Sequence, residues 1–287
     1  MAKWKSPKSL VSLLVGVGLI AIPNQEGRSY PSDGLVTAAL VAEVKSVQPG
    51  EPFWVAVRLG MRDGWKVNWV NPGDAGLAPT VTWSLPEGFG VSSLLWPYPE
   101  KFSIPELAIF GYEGEVLLLA EITPPTSLKP LDRVTLGARV DWLACREACV
   151  PGGADLKLEL SVNHDVAIAD GELVEAFRRT REALPVTPRG WDFSARVSRD
   201  KISIRAVPPA GETLGLDQVT FFPIVQNVIE NSSRQELLKK DAVYQLDIER
   251  SDMSMTSPSR IKGVLVSREG WGSIPYKALA IDVPVDE

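Results

Sequence analysis

RVTLGARVDWLACREACVPGG, residues 133 to 153, alternates from its first residue to its first cysteine. Val134, Leu136, Ala138, Val140 and Trp142 share one face. Thr135, Arg139, Asp141, Leu143 and Cys145 share the other, more polar face. Successive side chains of a strand point to opposite faces, so this period marks a half-buried β-strand and turns Cys145 away from the core. The same period recurs on both sides. Phe53, Val55, Val57 and Leu59 alternate with Trp54, Ala56 and Arg58. Trp65, Val67 and Trp69 alternate with Lys66 and Asn68. Leu156, Leu158, Leu160 and Val162 alternate with Asp155, Lys157, Glu159 and Ser161. Val116 to Ala120 is continuously apolar, as a fully buried strand is. Turn signals PGE, NPGDAG and PEG separate these runs.

The period then changes. Asp170 is placed to cap a helix that runs to Ala183 or Leu184 and ends at Pro185, with Leu173, Phe177 and Leu184 as its apolar stripe. Glu172 in the first turn and Arg178, Arg179 and Arg181 later suit the helix dipole. Such a helix either packs on a sheet as a connector or binds a partner. After LPVTPRG the alternation returns in Phe193–Val197, Ile202–Ala206 and Ala242–Ile248, followed by strands at Ile261–Val266 and Ala278–Val283. The reading is all-β, with two β-sandwich domains joined by a short helix. Residues 30–165 form the first, 166–189 the helical connector and 190–287 the second.

Composition supports this. The 23 prolines and 23 glycines fall between short apolar runs, as in a chain with many turns. At 287 residues and 45% hydrophobic content the chain can bury a core without a covalent staple. The net charge is −6 and no Lys/Arg stripe is present, which argues against a nucleic-acid partner. A single histidine argues against histidine-based hydrolysis, and no phosphate-binding glycine loop or marked carboxylate pair occurs. The nine tryptophans lie mostly at strand positions and read as packing residues. Asn231-Ser232-Ser233 matches a glycosylation sequon, a weak pattern given no weight here. At the N-terminus, Lys3, Lys5 and Lys8 precede an uncharged run from Leu10 to Ile22, too short for a comfortable membrane span. Residues 1–27 are expected to be a signal peptide or an uncleaved anchor, the only expected membrane contact. The remainder is expected outside the cytoplasm, where disulfides persist.

Only two cysteines occur, Cys145 and Cys149. A bridge between them closes so short a loop that the chain-entropy model gives it about 2 kcal/mol. Local and exposed disulfides are the exchangeable ones. Four readings stay open at this point: a redox-active pair, a structural disulfide, a soft-thiolate Cu(I) or Zn(II) site, and an inert reduced pair. The metal reading draws on a likeness to the copper-delivery motif of Sco-type proteins, but Val150 separates Cys149 from Pro151, and His164 is the only histidine available as a third ligand.

Three segments together carry a more specific resemblance. WLACREACVPG resembles the W-L-x-C-x-x-x-C-x-P-G segment of the DsbD/ScsB family of thiol:disulfide interchange proteins, in their periplasmic N-terminal region. GWKVNWVNPGDAGL resembles the family's G-W-H-x-Y-W-x-N-P-G-D-S-G-L segment. WPYPEKFSIPELAIFGYEGEVLLL resembles its W-P-x-P-x-x-F…G-Y-x-G-x-x-x-L segment. They lie in family order over residues 65 to 153, and VTFFP and RIKGVLV resemble the downstream part of the same region. The resemblance implies immunoglobulin-like sandwiches and a relay in which a thioredoxin-like or membrane donor reduces the pair, which then reduces oxidised periplasmic proteins, as in cytochrome c biogenesis. It implies no cofactor beyond the disulfide. It assigns the mixed disulfide to Cys149 and its resolution to Cys145, and it points to Phe102, then Tyr112, as the aromatic that shields the pair. Arg146 is placed to favour a thiolate; Glu147 and Asp141 oppose it.

The sequence also departs from the family. Lys66 and Asn68 stand where His and Tyr are frequent. Longer members continue into a multi-helix membrane domain and a thioredoxin-like domain, which these 287 residues lack. The expectation is a separate relay subunit, a substrate adaptor or a relic that keeps the fold. A periplasmic copper chaperone and a non-catalytic interaction module with a fixed disulfide remain the alternatives.

Overall fold

The computed structural model describes residues 34–104, 107–129, 132–163, 170–171, 173–212, 215–254, 257–272 and 275–286. The expected N-terminal signal or anchor and His164 lie outside them. No helix among the described residues is long and apolar enough to cross a membrane.

Among the described residues, eleven strands precede one helix. They are β1 (Val36–Ala42), β2 (Ser46–Val47), β3 (Phe53–Met61), β4 (Lys66–Gly73), β5 (Thr80–Ser84), β6 (Gly90–Val91), β7 (Glu100–Ile104), β8 (Leu107–Glu113), β9 (Glu115–Thr123), β10 (Arg133–Cys145) and β11 (Cys149–Val162). Helix α1 (Val174–Glu182) follows. Then come β12 (Asp192–Val197), β13 (Lys201–Val207), β14 (Val219–Pro223), β15 (Glu236–Lys240), β16 (Val243–Glu249), β17 (Arg260–Ser267) and β18 (Ala278–Asp286). The fold is all-β and immunoglobulin-like.

Two sheets build the first sandwich. One has the order β1-β3-β9-β6; the other runs β2-β11-β10-β4-β8-β7, with β5 also paired to β10. Their inner faces meet through Val55, Val57, Leu59 and Leu118 on one side and Trp69, Phe110, Leu136 and Val140 on the other, all buried. Val55, Val57, Leu59, Trp69, Leu136 and Val140 belong to the apolar sets of the period-two pattern, and Leu118 to the continuous apolar run. Burying such aliphatic side chains gives roughly 1.5–3 kcal/mol each, which drives the two sheets together. Ala56 departs from that pattern. It belongs to the outward set of β3 yet is fully buried, because α1 covers that face: Phe177 packs against Ala56, Leu117 and Leu119, with Leu173 and Leu184 beside it. The helix is thus a connector packed on a sheet. It begins later than expected, with Leu173 at the N-cap position and no side-chain cap bond there. The Asp170 carbonyl accepts from the amides of Leu173 and Val174, so a backbone turn leads into the helix.

The strands after α1 form one connected sheet, β14-β17-β18-β12-β13-β16-β15. β18 joins its two halves, pairing antiparallel with β17 from Ala278 to Pro284 and parallel with β12 at Val285 and Asp286. Phe221, Ile202, Ile204, Leu246 and Trp271 fill the core between them.

The two sandwiches share apolar and polar contacts. Phe222, from the second, is 3% exposed and lies in the core cluster of the first. Its ring meets Phe110 edge-on at 5.0 Å between centroids and Trp69 at 6.2 Å. The NPGD segment supplies the polar part. Asn71 donates from Nδ2 to the carbonyls of Pro223 (2.7 Å) and Val225 (3.3 Å). Asp74 accepts from Asn231 Nδ2 through one oxygen and from the Ala108 amide through the other, both at 2.7 Å. Gly73, at φ +80°, lies so close to β8 that a Cβ would stand 2.3 Å from the Ala108 carbonyl oxygen. Asn231 is therefore an interface residue, 6% exposed, which disposes of the sequon.

Candidate functional site

Cys145 ends β10 and Cys149 begins β11. They face each other as the last pair of a long antiparallel ladder, with Cα atoms 4.1 Å apart and the sulfurs bonded. Arg146, Glu147 and Ala148 form the turn and are exposed. The ladder explains the pairing: thirteen consecutive cross-strand pairs, from Arg133–Ser161 to Cys145–Cys149, leave the two sulfurs nowhere else to go. Pairs of this kind bring side chains within about 4.5–5.5 Å of each other. Three pairs back from the cysteines the GG of the motif finds its use. Gly152 lies opposite Trp142, and a Cβ there would come within 2.6 Å of the indole nitrogen.

The two cysteines differ sharply in exposure. Cys149 is exposed, whereas Cys145 is only 2% exposed. The alternation of β10 holds, since Ala144 faces inward and Cys145 has the parity of Asp141 and Leu143. Cys145 is nevertheless buried, because the strand's other face is covered at this end. β4 pairs with the tip of β10, setting Lys66 opposite Cys145. The β7–β8 hairpin adds to the same sheet beyond β4, with Phe102 opposite Ile109. A cavity of about 350 Å³ lies over Cys145, walled by Phe102, Ile104 and Ile109 and by three cationic side chains, Lys66, Lys101 and Arg146.

Each cation is held. The Lys66 ammonium stands 4.7 Å from the centroid of the Phe102 ring, donates to the Gly64 carbonyl at 3.3 Å and lies 3.5 Å from Glu113 Oε2. Arg146 lies over the Trp65 ring at 5.3 Å. Lys101 donates to the carbonyl of Ser233 in the second sandwich at 3.0 Å. Burial lowers the Lys101 pKa, and the nearby charges of Asp74 and Glu230 act in the opposite direction.

Phe102 and Tyr112, paired in the sequence reading, part company here. Phe102 is half-buried, lines the cavity over Cys145 and carries Lys66 on its face. Tyr112 points elsewhere. Its ring belongs to the first core, its hydroxyl donates to the Pro97 carbonyl at 2.7 Å, and it does not line the cysteine cavity. Burial raises its pKa well above the usual phenol value. Asn68 also departs from expectation. It is 1% exposed rather than outward, with the Ala75–Gly76 turn packed against its side chain. Its side chain bonds the Ala75 carbonyl instead. Sequence reasoning did not find Lys66 and Lys101 as site residues; both depend on strand pairings made far along the chain.

If Phe102 shields the sulfurs, Phe102→Ala should raise the rate at which dithiothreitol reduces the bridge by roughly three- to tenfold, since exchange depends on access. Stopped-flow measurement of thiol release checks it, and an unchanged rate would show that the ring does not limit entry.

No cluster of three His, Cys, Asp or Glu side chains suited to a metal occurs among the described residues. Residues 34–161 match the family model described as Thiol:disulfide interchange protein DsbD, N-terminal. That stretch is a DsbD/ScsB-type N-terminal domain. Over more of the chain, the crystal structure of the N-terminal periplasmic domain of ScsB from Proteus mirabilis aligns with a TM-score of 0.61 at 15% identity, covering 89% of this chain and 96% of that one. At that identity the likeness is one of fold. A protein of unknown function from Porphyromonas gingivalis W83 aligns over 88% of this chain and 100% of its own at 12% identity, with a TM-score of 0.24 that carries no weight. Among curated proteins, none matches this chain.

Proposed function

We propose that this protein is an extracytoplasmic thiol:disulfide relay working through Cys145 and Cys149. The observation that carries the reading is the asymmetry of the pair: one sulfur belongs to an exposed residue, the other to a residue buried beside three cations. A donor thiolate, from a thioredoxin-like or membrane-bound dithiol, attacks the Cys149 sulfur. The donor–Cys149 bond forms, the Cys145–Cys149 bond breaks, and its electron pair leaves on Cys145. The donor's second thiolate then attacks the donor sulfur of this mixed disulfide. The donor departs oxidised, with two electrons left on the pair as a dithiol once protons are taken up. The same steps in reverse reduce an oxidised acceptor protein, again through Cys149. No cofactor enters this scheme. Periplasmic residence and the role of the first 27 residues as signal or anchor belong to the same proposal.

The test is the reduction potential of the pair, found by equilibrating the protein with thiol buffers and counting alkylated cysteines by mass. A potential of about −200 to −270 mV, where exchange proteins lie, is expected. A value below about −300 mV would mark a structural bridge and overturn the relay.

A further inference from the structure

Lys66 occupies an unusual place for a lysine. It lies directly opposite Cys145 in the register of β4 on β10, with its side chain only 20% exposed, and it lines the same cavity as the buried cysteine. The face of Phe102 lies under its ammonium at 4.7 Å, a position that favours a cation without neutralising it. Its nearest carboxylate, Glu113, is 3.5 Å away and also accepts from the Gly64 amide. The groove thus keeps a cation beside Cys145 whose carboxylate partner is shared with the Gly64 amide.

We propose that Lys66 is the cation that stabilises the Cys145 thiolate when the bridge opens, and that it thereby sets how readily the pair is reduced. This rests on the exchange reading above. Opening the bridge by attack at Cys149 places a negative charge on Cys145, inside a pocket where water cannot fully solvate it. A nearby opposite charge favours the charged form of such a group, and a thiol of lower pKa leaves faster. The other charges facing Cys145 are less well placed. Arg146 is spread over Trp65 on the exposed turn, and Lys101 is tied to the Ser233 carbonyl near Asp74 and Glu230. Glu147 on the turn and Glu113 on β8 are the opposing negatives.

The full chain carrying Cys149→Ser leaves Cys145 as the only thiol, and its thiolate absorbance near 240 nm is followed against pH. Adding Lys66→Met should move the midpoint upward by about one unit. Lys66→Arg should hold it within about 0.3 unit, because the charge is kept. In the two-cysteine protein, Lys66→Met should slow reduction by dithiothreitol roughly threefold and shift the equilibrium with glutathione towards the disulfide. Lys66→Gln is titrated alongside, so that a folding failure of the Met variant does not remove the test. If neither neutral variant moves the midpoint, the proposal is overturned. The two readings fail separately. A protein that exchanges normally with an unmoved midpoint keeps the relay and loses the role of Lys66. A shifted midpoint in a protein whose potential falls in the structural range keeps the Lys66–thiolate contact and loses the relay.

Discussion

Cys149→Ser should reduce disulfide exchange with a thioredoxin-like donor to the uncatalysed background, a loss of at least about a thousandfold, because the exposed one of the two cysteines is gone. Cys145→Ser should behave differently. It leaves the exposed thiol in place and removes the one that would resolve a mixed disulfide between Cys149 and an oxidised acceptor, so a covalent adduct with the acceptor should persist and be visible on a non-reducing gel. The contrast follows from position, not from the chemistry of the residues, since both are cysteines on one hairpin. Cys145 is 2% exposed, covered by β4 and the β7–β8 hairpin, with Phe102 lining the cavity over it. Equal trapping by the two variants would mean that the cover opens freely and that the asymmetry has no functional part.

The second large effect concerns Phe222. It is the aromatic side chain by which the second sandwich enters the core of the first, against Phe110 and Trp69. Phe222→Ala should cost about 3–5 kcal/mol, the usual range for truncating a buried phenylalanine. Since whole domains are stable by only about 5–15 kcal/mol, that is a large share. Among the other links, those of Asn71 to Pro223 and Asp74 to Asn231 are hydrogen bonds that contribute about 1 kcal/mol each, with somewhat more for the charged one. Urea unfolding followed by tryptophan fluorescence should show a lower midpoint and two separated transitions in place of one. A loss under about 1 kcal/mol would mean that the sandwiches cohere through other contacts.

Much of this was legible in the sequence, and the parts that were not have a common cause. Strand positions follow from side-chain period, which depends on neighbours one and two residues away. The outward parity of Cys145 was read correctly for that reason. Its burial was not, because the cover is assembled from Lys66, about eighty residues upstream, and from a hairpin whose pairing no local pattern specifies. Ala56 and Asn68 were placed on outer faces by the same rule, and both are buried, one by a helix from beyond β11 and the other by the Ala75–Gly76 turn. Asp170 offered a capping side chain, yet the helix starts at Val174 from a backbone turn. Phe102 was found through family resemblance, which also suggested Tyr112; the aromatic residue type alone could not tell the cavity wall from the core. The NPGD segment was legible as a turn, but its use as a clasp between sandwiches depends on Asn231, more than 150 residues away.

The ladder that ends in the cysteine pair has one more implication. A bond across a three-residue turn, between strands already joined by thirteen paired positions, restrains a chain that is hardly free to begin with. Its contribution to folding is at most about 2 kcal/mol, and less if the hairpin survives in the unfolded ensemble. The oxidised and reduced proteins should therefore melt at nearly the same temperature and resist proteases alike. A carrier spends part of every cycle without its bridge, and a protein that unfolded each time it was loaded would be cleared by the quality control of its own compartment. In the relay proposed above, fold and cargo are decoupled: the electrons come and go, and the hairpin that holds them keeps its shape.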